Sequence, residues 1–129
     1  MRSRIIPALL AFLASAGCAP PQYLQKGVQD GVQLAYRWNH PPGKPSELLL
    51  KLVNTTNQDK SVDLIIDLSY QGLTVETMEL DTCIRAGRTM NGKLNGVYFI
   101  PTRLTTEQIK SGDAVAEMTR TIIAKSICP

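Results

Sequence analysis

The ten-residue stretch SVDLIIDLSY, residues 61–70, decides the fold of this chain. Apolar and polar side chains alternate along it with period two, and only Ile65 breaks the pattern. Because successive side chains of a β-strand point to opposite faces of a sheet, the stretch predicts a strand with one face in a core and the other in solvent. The core positions are Val62, Leu64, Ile66, Leu68 and Tyr70.

Further strands are predicted on both sides of this one. Residues 32–39 alternate in the same way and place Tyr36 and Trp38 in the core, whereas residues 48–53 are nearly all apolar, which is typical of a strand in the middle of a sheet. Segments rich in Pro, Gly, Asn and Asp separate the strands, as turns require. The other predicted strands are residues 75–84 and 97–100.

One short helix is predicted at residues 105–111. The sequence Thr-Thr-Glu-Gln that begins it has the capping-box pattern, and Gly112 is suited to end it. The next stretch is ambiguous, because apolar residues recur at helical spacing between positions 114 and 122 while residues 119–123 are mostly β-branched. Since β-branched residues favour extended structure, we predict a strand there.

Short strands separated by turns, with one brief helix, indicate an all-β protein: a two-sheet sandwich of six to seven strands. Residues 46–100 resemble the immunoglobulin-like sandwiches of bacterial envelope proteins. The run LLLKLVNTT at 48–56, the strand at 62–66 and the Ala86-Gly87 corner carry this resemblance, although Pro-Gly is more usual at such a corner. The resemblance implies a binding or scaffolding domain and assigns no chemistry.

The N-terminus resembles the signal peptide of a bacterial lipoprotein. Arg2 and Arg4 precede an apolar run at residues 5–14, and Ser15-Ala16-Gly17-Cys18 resembles a lipobox, with Ser15 where an aliphatic residue is usual. The apolar run is shorter than the roughly 20 residues that span a bilayer. The resemblance implies cleavage before Cys18 and acylation of Cys18. An ordinary secretory signal cut nearby is the alternative.

The lipoprotein interpretation divides the chain into a signal peptide (residues 1–17), a lipidated tether (18–30) and a β-sandwich domain (31–129). The tether begins with the stiff, polar sequence Ala-Pro-Pro-Gln. Residue 19 is Ala rather than the Asp that retains lipoproteins at the inner membrane of some bacteria. We therefore expect a lipid anchor in the bacterial cell envelope, at the outer membrane.

Two cysteines remain in the sandwich domain, Cys83 and Cys128. In an oxidising compartment an even pair indicates a disulfide, and the loop of 45 residues that it closes would stabilise the fold by roughly 3–4 kcal/mol. Two reduced, buried thiols are the alternative. Cys83 shares its strand parity with Glu79 and Asp81, so we expect it to face outward.

No constellation of residues indicates catalysis. His40 lies beside prolines in a turn, and no second metal ligand follows it at strand or helix spacing. If Cys83 acted as a nucleophile it would need a base, and His40 is the one histidine of the chain. Asp59, Asp63 and Asp67 lack the pattern of a calcium loop, so a solvated strand face is the simpler interpretation. We predict no enzyme activity, no metal and no cofactor.

The charge of the mature chain is close to neutral. Without residues 1–17 it has 12 basic and 11 acidic residues, and no basic patch interleaved with aromatics, so nucleic acid is not an expected partner. Candidate surface groups are the aromatics Tyr23 and Tyr98 and the basic residues of the turn-rich corner. These basic residues are Arg85, Arg88 and Lys93.

These observations predict a membrane-anchored envelope lipoprotein that acts as a structural or interaction subunit of a larger envelope assembly, with a protein partner. A ligand-binding or hydrolase-inhibitor module is the alternative. Small lipoprotein inhibitors of lysozyme have a similar size and a disulfide. They carry a Ser-Gly-x-x-Tyr loop, whereas here Ser111-Gly112 is followed by Asp113 and Ala114.

Overall fold

Residues 22–129 are described by a computed structural model. In this range the chain forms eight strands, one 3₁₀ turn at Gly92–Asn95 and one short α-helix. The elements are β1 Leu24–Gln29, β2 Val32–Asn39, β3 Glu47–Asn54, β4 Lys60–Tyr70, β5 Leu73–Ile84, β6 Thr89–Asn91, β7 Tyr98–Phe99, α1 Thr106–Lys110 and β8 Ala114–Lys125.

The strands form two antiparallel sheets that pack as a sandwich. Sheet A has the order β1-β2-β3-β6, with β7 also paired to β3, and sheet B has the order β5-β4-β8. The predicted all-β sandwich is confirmed. The eight strands of the described range exceed the predicted six to seven, because sequence patterning missed β1 and the three-residue strand β6.

The alternation that decides the fold lies in the middle of sheet B. Val62, Leu64 and Leu68 are fully buried, and Ile66 is 1 % exposed. β4 pairs with β5 on one side and with β8 on the other, and each pairing runs from Lys60 to Tyr70. Full burial of one such aliphatic side chain contributes about 1.5–3 kcal/mol, so this strand supplies a large share of the core.

The strand that was predicted to be central, β3, lies between β2 and β6 and is apolar on both faces for a local reason. Leu48, Leu50 and Leu52 face the core and are fully buried. Leu49 points away from the core and is nevertheless buried, with 6 % of its surface exposed, because the 3₁₀ turn lies over it. A Cβ atom on Gly92 would meet Leu49 at 3.4 Å, so the glycine permits this close approach.

Part of the segment predicted as a tether forms strand β1. Residues 24–29 lie within the segment 18–30 that was expected to be a tether, and they pair antiparallel with β2. All six residues are exposed, which is why the strand has no hydrophobic period. Asp30 and Gly31 join β1 to β2 with φ values of 47° and 77°, and Asp-Gly with both φ values positive is the signature of a type I′ hairpin turn.

The C-terminal predictions are confirmed. Thr105 caps α1, because its hydroxyl accepts a hydrogen bond from the Gln108 amide (3.2 Å) while the Gln108 side chain accepts one from the Thr105 amide (2.9 Å). The ambiguous stretch is strand β8, Ala114–Lys125. Pairing along the whole of β4 outweighs the helical spacing of its apolar residues.

Asn54 fastens the two sheets together at one end. It is the last residue of β3 and is 1 % exposed. Its side-chain amide donates to the carbonyls of Gln58 (2.8 Å) and Ile84 (3.0 Å), and its oxygen accepts from the Thr56 amide (3.0 Å). A buried amide with all these partners holds the end of sheet A against the end of β5.

The predicted signal peptide and the acylation site Cys18 lie outside the described residues. Between residues 22 and 129, no helix combines the length and the apolar character that crossing a membrane requires.

Candidate interaction surfaces

The outer surface of sheet A carries an aromatic ring that lies close to two cations. The Arg37 Cζ atom lies 5.3 Å from the ring centroid of Tyr23, and the Lys51 Nζ atom lies 5.7 Å from it. Both cations belong to the strand parity that faces away from the core. We call this group, Tyr23 with Arg37 and Lys51, the basic face.

The acidic residue on this side of sheet A is neutralised. Glu47 is 2 % exposed, forms a salt bridge with Lys93 and accepts a 2.9 Å hydrogen bond from Asn39 Nδ2. The hydrogen bond from Lys93 holds the pKa of the Glu47 carboxyl below its ordinary value. Within residues 22–129 the ion pairs are Lys93–Glu47 and Arg120–Asp63, so neither cation of the basic face is paired with a carboxylate.

The outer surface of sheet B has the opposite charge. Asp63 lies directly across from Asp81 in the β4–β5 pairing, and Asp67 lies directly across from Glu117 in the β4–β8 pairing. Like charges at facing positions of neighbouring strands destabilise a sheet. We call this surface the acidic face. Its carboxylates are those of Asp63, Asp67, Glu79, Asp81 and Glu117.

Little on the acidic face compensates this repulsion. Arg120 forms a 3.2 Å ion pair with Asp63, and the Thr77 hydroxyl donates a 2.7 Å hydrogen bond to Asp67. Asp63 and Asp67 thus lie on a partly exposed outer face, as predicted. No group of three metal-ligating side chains is found among residues 22–129.

Asp59 lies apart from these carboxylates and anchors the C-terminus. Its side-chain oxygens accept hydrogen bonds from the amides of Cys128 (3.0 Å) and Ala86 (2.9 Å). These two bonds, Cys128 first, lower the pKa of the Asp59 carboxyl. Sequence inspection gave no sign of this role, because the donors lie 69 and 27 residues further along the chain.

The predicted disulfide is confirmed. Cys83 and Cys128 are bonded, with their Cα atoms 5.6 Å apart. The bond joins the end of β5 to the chain beyond β8, on the outer side of sheet B. The sulfur of Cys83, the atom considered as a possible nucleophile, is therefore taken up by the bridge.

His40 takes part in a chain of hydroxyl contacts that sequence reasoning missed. Its Nδ1 atom lies 2.7 Å from Ser46 Oγ, which lies 2.8 Å from Thr106 Oγ1. Burial, and then the charge of Lys110, lower the pKa of His40. The contacts fasten the β2–β3 loop to α1. An open cleft of about 430 Å³ lies beside them, lined by His40, Pro41, Pro42, Gly43, Lys44, Pro45, Thr106, Glu107 and Lys110.

The basic residues predicted to form one corner serve different contacts. Arg85 donates a 3.0 Å hydrogen bond to the Pro129 carbonyl, whereas Lys93 contacts Glu47 and lies 5.8 Å from the Tyr98 ring. Arg85 and Arg88 together line one open cleft at this corner, and Lys93 is not among the residues that line it.

The four aromatic residues singled out in the sequence have distinct surroundings. Tyr36 is 9 % exposed, which confirms its predicted place in the core, and Trp38 packs against that core while half-buried. Tyr23 and Tyr98, expected to be exposed, are half-buried beneath cations.

Fold and surfaces together define a two-sheet β-sandwich whose outer faces carry opposite charge. The chain matches no family model, no curated protein and no solved structure.

Proposed function

We propose that this protein is a lipid-anchored interaction module of the bacterial envelope. In this proposal Cys18 carries the acyl chains, and the sandwich presents its acidic face to a protein partner with a basic surface. The role is binding within a larger envelope assembly, and it needs no catalytic group.

The facing carboxylate pairs on sheet B carry the proposal. Asp81 and Glu117 are exposed on the outer side of the sheet, so the packing of the core does not explain why these positions carry charges. Each faces an aspartate, an arrangement that costs roughly 0.2–1 kcal/mol per pair. A basic partner would replace this repulsion by attraction and would be steered toward the face by its field.

The shape of the surface also favours recognition of a protein. The three clefts described among residues 22–129 have volumes of about 420–530 Å³, and all of them are open to solvent. A module for small ligands typically encloses most of its ligand in a concave pocket. The acidic face is instead spread over three long, paired strands.

Site-specific crosslinking in intact cells tests the proposal. A photoreactive benzoylphenylalanine at position 79 lies on the acidic face, and the same group at Leu94, which is 86 % exposed in the 3₁₀ turn, is the matched control. We expect a discrete crosslinked product from position 79 and none from position 94. Mass spectrometry of the product should identify a partner with a basic surface.

Two results would contradict the proposal. One is the absence of a crosslink at position 79 together with migration of the protein as a lone monomer in several mild detergents. The other concerns the anchor: Cys18→Ala should leave an uncut, unacylated precursor. A mature N-terminus elsewhere without acyl mass, measured on membrane-extracted wild-type protein, rejects the lipoprotein assignment.

A further inference from the structure

We propose that the basic face lies against anionic lipid headgroups, so that the acidic face points away from the membrane. The inference rests on the proposed acylation of Cys18. It adds an orientation and a lipid class to that proposal.

The short tether is the first argument. β1 begins at Leu24, and Tyr23 lies within cation–π distance of Arg37 and Lys51 on the basic face. Residues 18–22 alone therefore link the acylated cysteine to this face. Five residues span at most about 17 Å, against roughly 45 Å for the tether expected at 18–30. The domain is thus confined near the bilayer, and the basic face is the surface that receives the chain.

Charge complementarity is the second argument. Among residues 22–129, Arg37 and Lys51 have no carboxylate partner. One basic residue close to an anionic membrane surface favours binding about fivefold, which corresponds to ~1 kcal/mol. Tyr23, which contacts both, is an amphipathic aromatic residue, the type enriched at the headgroup level.

The acidic face supplies the third argument, because it must avoid the same membrane. It belongs to the other sheet of the sandwich and faces the opposite direction. Packed sheets lie about 10 Å apart, so with the basic face on the headgroups the carboxylates lie beyond a Debye length of roughly 8–10 Å from the lipid charges. The reverse orientation would press five carboxylates against anionic lipid.

Amine footprinting of the full-length acylated protein tests this orientation. The protein is placed in vesicles of phosphatidylcholine alone or of phosphatidylcholine with phosphatidylglycerol, and acetylation of Lys51 and Lys125 is followed by mass spectrometry. Lys125 is exposed at the end of β8 and is the internal reference. We expect Lys51 to react several-fold more slowly in anionic vesicles, with recovery in high salt, and Lys125 to react equally in both.

A pair of variants distinguishes an effect of the basic face from an effect of the net charge of the protein. Arg37→Gln should reduce the protection of Lys51 in anionic vesicles about fivefold, the effect of one basic residue near such a surface. Arg88→Gln removes the same charge from an exposed residue that precedes β6, and should leave the protection unchanged. Circular dichroism melting curves check that both variants fold.

Three results would overturn the inference: equal labelling of Lys51 in both kinds of vesicle, equal effects of the two variants, or protection of Lys51 in native membranes but not in anionic vesicles. The last would mean that a protein covers the basic face. The intact mass of the protein shows whether it is acylated, so failure of this inference can be distinguished from failure of the proposed function. Acylated protein with freely labelled Lys51 refutes the orientation alone, whereas protein without acyl mass refutes the anchor.

Discussion

The two outer faces of the sandwich use charge in opposite ways. On sheet A, Lys93 neutralises the buried Glu47, and Tyr23 lies within cation–π distance of two cations. On sheet B, Asp63 faces Asp81 and receives the one ion pair of that face. Charges on sheet A therefore contribute to the stability of the fold, while most charges on sheet B reduce it. On sheet B the register of the strand pairing places like charges opposite each other, whereas on sheet A a turn residue and the chain before β1 supply the partners of the charges.

The largest expected effect concerns the disulfide, which links β5 to the chain after β8 in the sheet that carries the acidic face. Replacing Cys83 and Cys128 by Ser should lower the free energy of unfolding by about 4 kcal/mol, the chain-entropy value for a closed loop of this length. That is a large share of a typical 5–15 kcal/mol stability. Urea titration measures the loss.

Hydrogen exchange locates the effect of the same change. Residues 120–129 should lose protection first in the serine variant, because few other contacts hold the chain end. Labelling of the unfolded, unreduced wild-type protein is the control. Two reactive thiols would show that the cysteines are not bridged in solution.

Glu47→Gln should have the next largest effect and lies on sheet A. The variant loses the salt bridge with Lys93 while its carbonyl still accepts from Asn39, at an expected loss of about 1–3 kcal/mol. Thermal and urea unfolding measure it. Glu107→Gln removes an exposed carboxylate from α1 and is the matched control, with an expected change within about 0.5 kcal/mol. Equal losses in the two variants would show that Glu47 has no special role.

The same carboxylate makes the fold sensitive to acid. Lys93 lowers the pKa of Glu47 below 4.5, and the Cys128 and Ala86 amides lower that of Asp59 below 3.8. The unfolded chain therefore binds protons first, so this stabilisation is complete above about pH 4.5 and is lost as the pH falls through the lowered values. Urea midpoints measured from pH 7 to pH 3 should fall less steeply for Glu47→Gln than for wild type.

The smallest loss is expected for Arg37→Gln. Removing this cation from the Tyr23 ring should lower the free energy of unfolding by about 0.5 kcal/mol, the low end of what a cation–π contact contributes. Such a small change requires repeated urea titrations alongside wild type. An increase in stability would mean that Arg37 and Lys51 repel each other more than the ring attracts them.

Sequence patterning predicted the elements whose signal is local or periodic. The alternation of β4 identified a half-buried strand, and Thr105 with Gln108 identified the cap of α1. The disulfide followed from an even count of cysteines in the sandwich domain, given the oxidising compartment that the N-terminal sequence predicts. In each of these cases the information lies within one element or in composition.

The rest depended on contacts between distant parts of the chain. β1 is exposed along its whole length, so it has no hydrophobic period, and the Asp30-Gly31 turn was its one local sign. Ser46 reaches Thr106 across 60 positions of sequence. The facing carboxylates became visible only with the register of sheet B, because a strand by itself does not show which residue lies opposite.

The sign of one stability change tests the central claim most directly. Asp81→Asn combined with Glu117→Gln removes one member of each facing pair on the acidic face. We predict that urea titration at low salt gives a free energy of unfolding higher than wild type by roughly 0.4–2 kcal/mol, with a smaller gain in 0.5 M salt. A lower stability, or a gain that does not depend on salt, would contradict the claim that the charges of this face destabilise the fold.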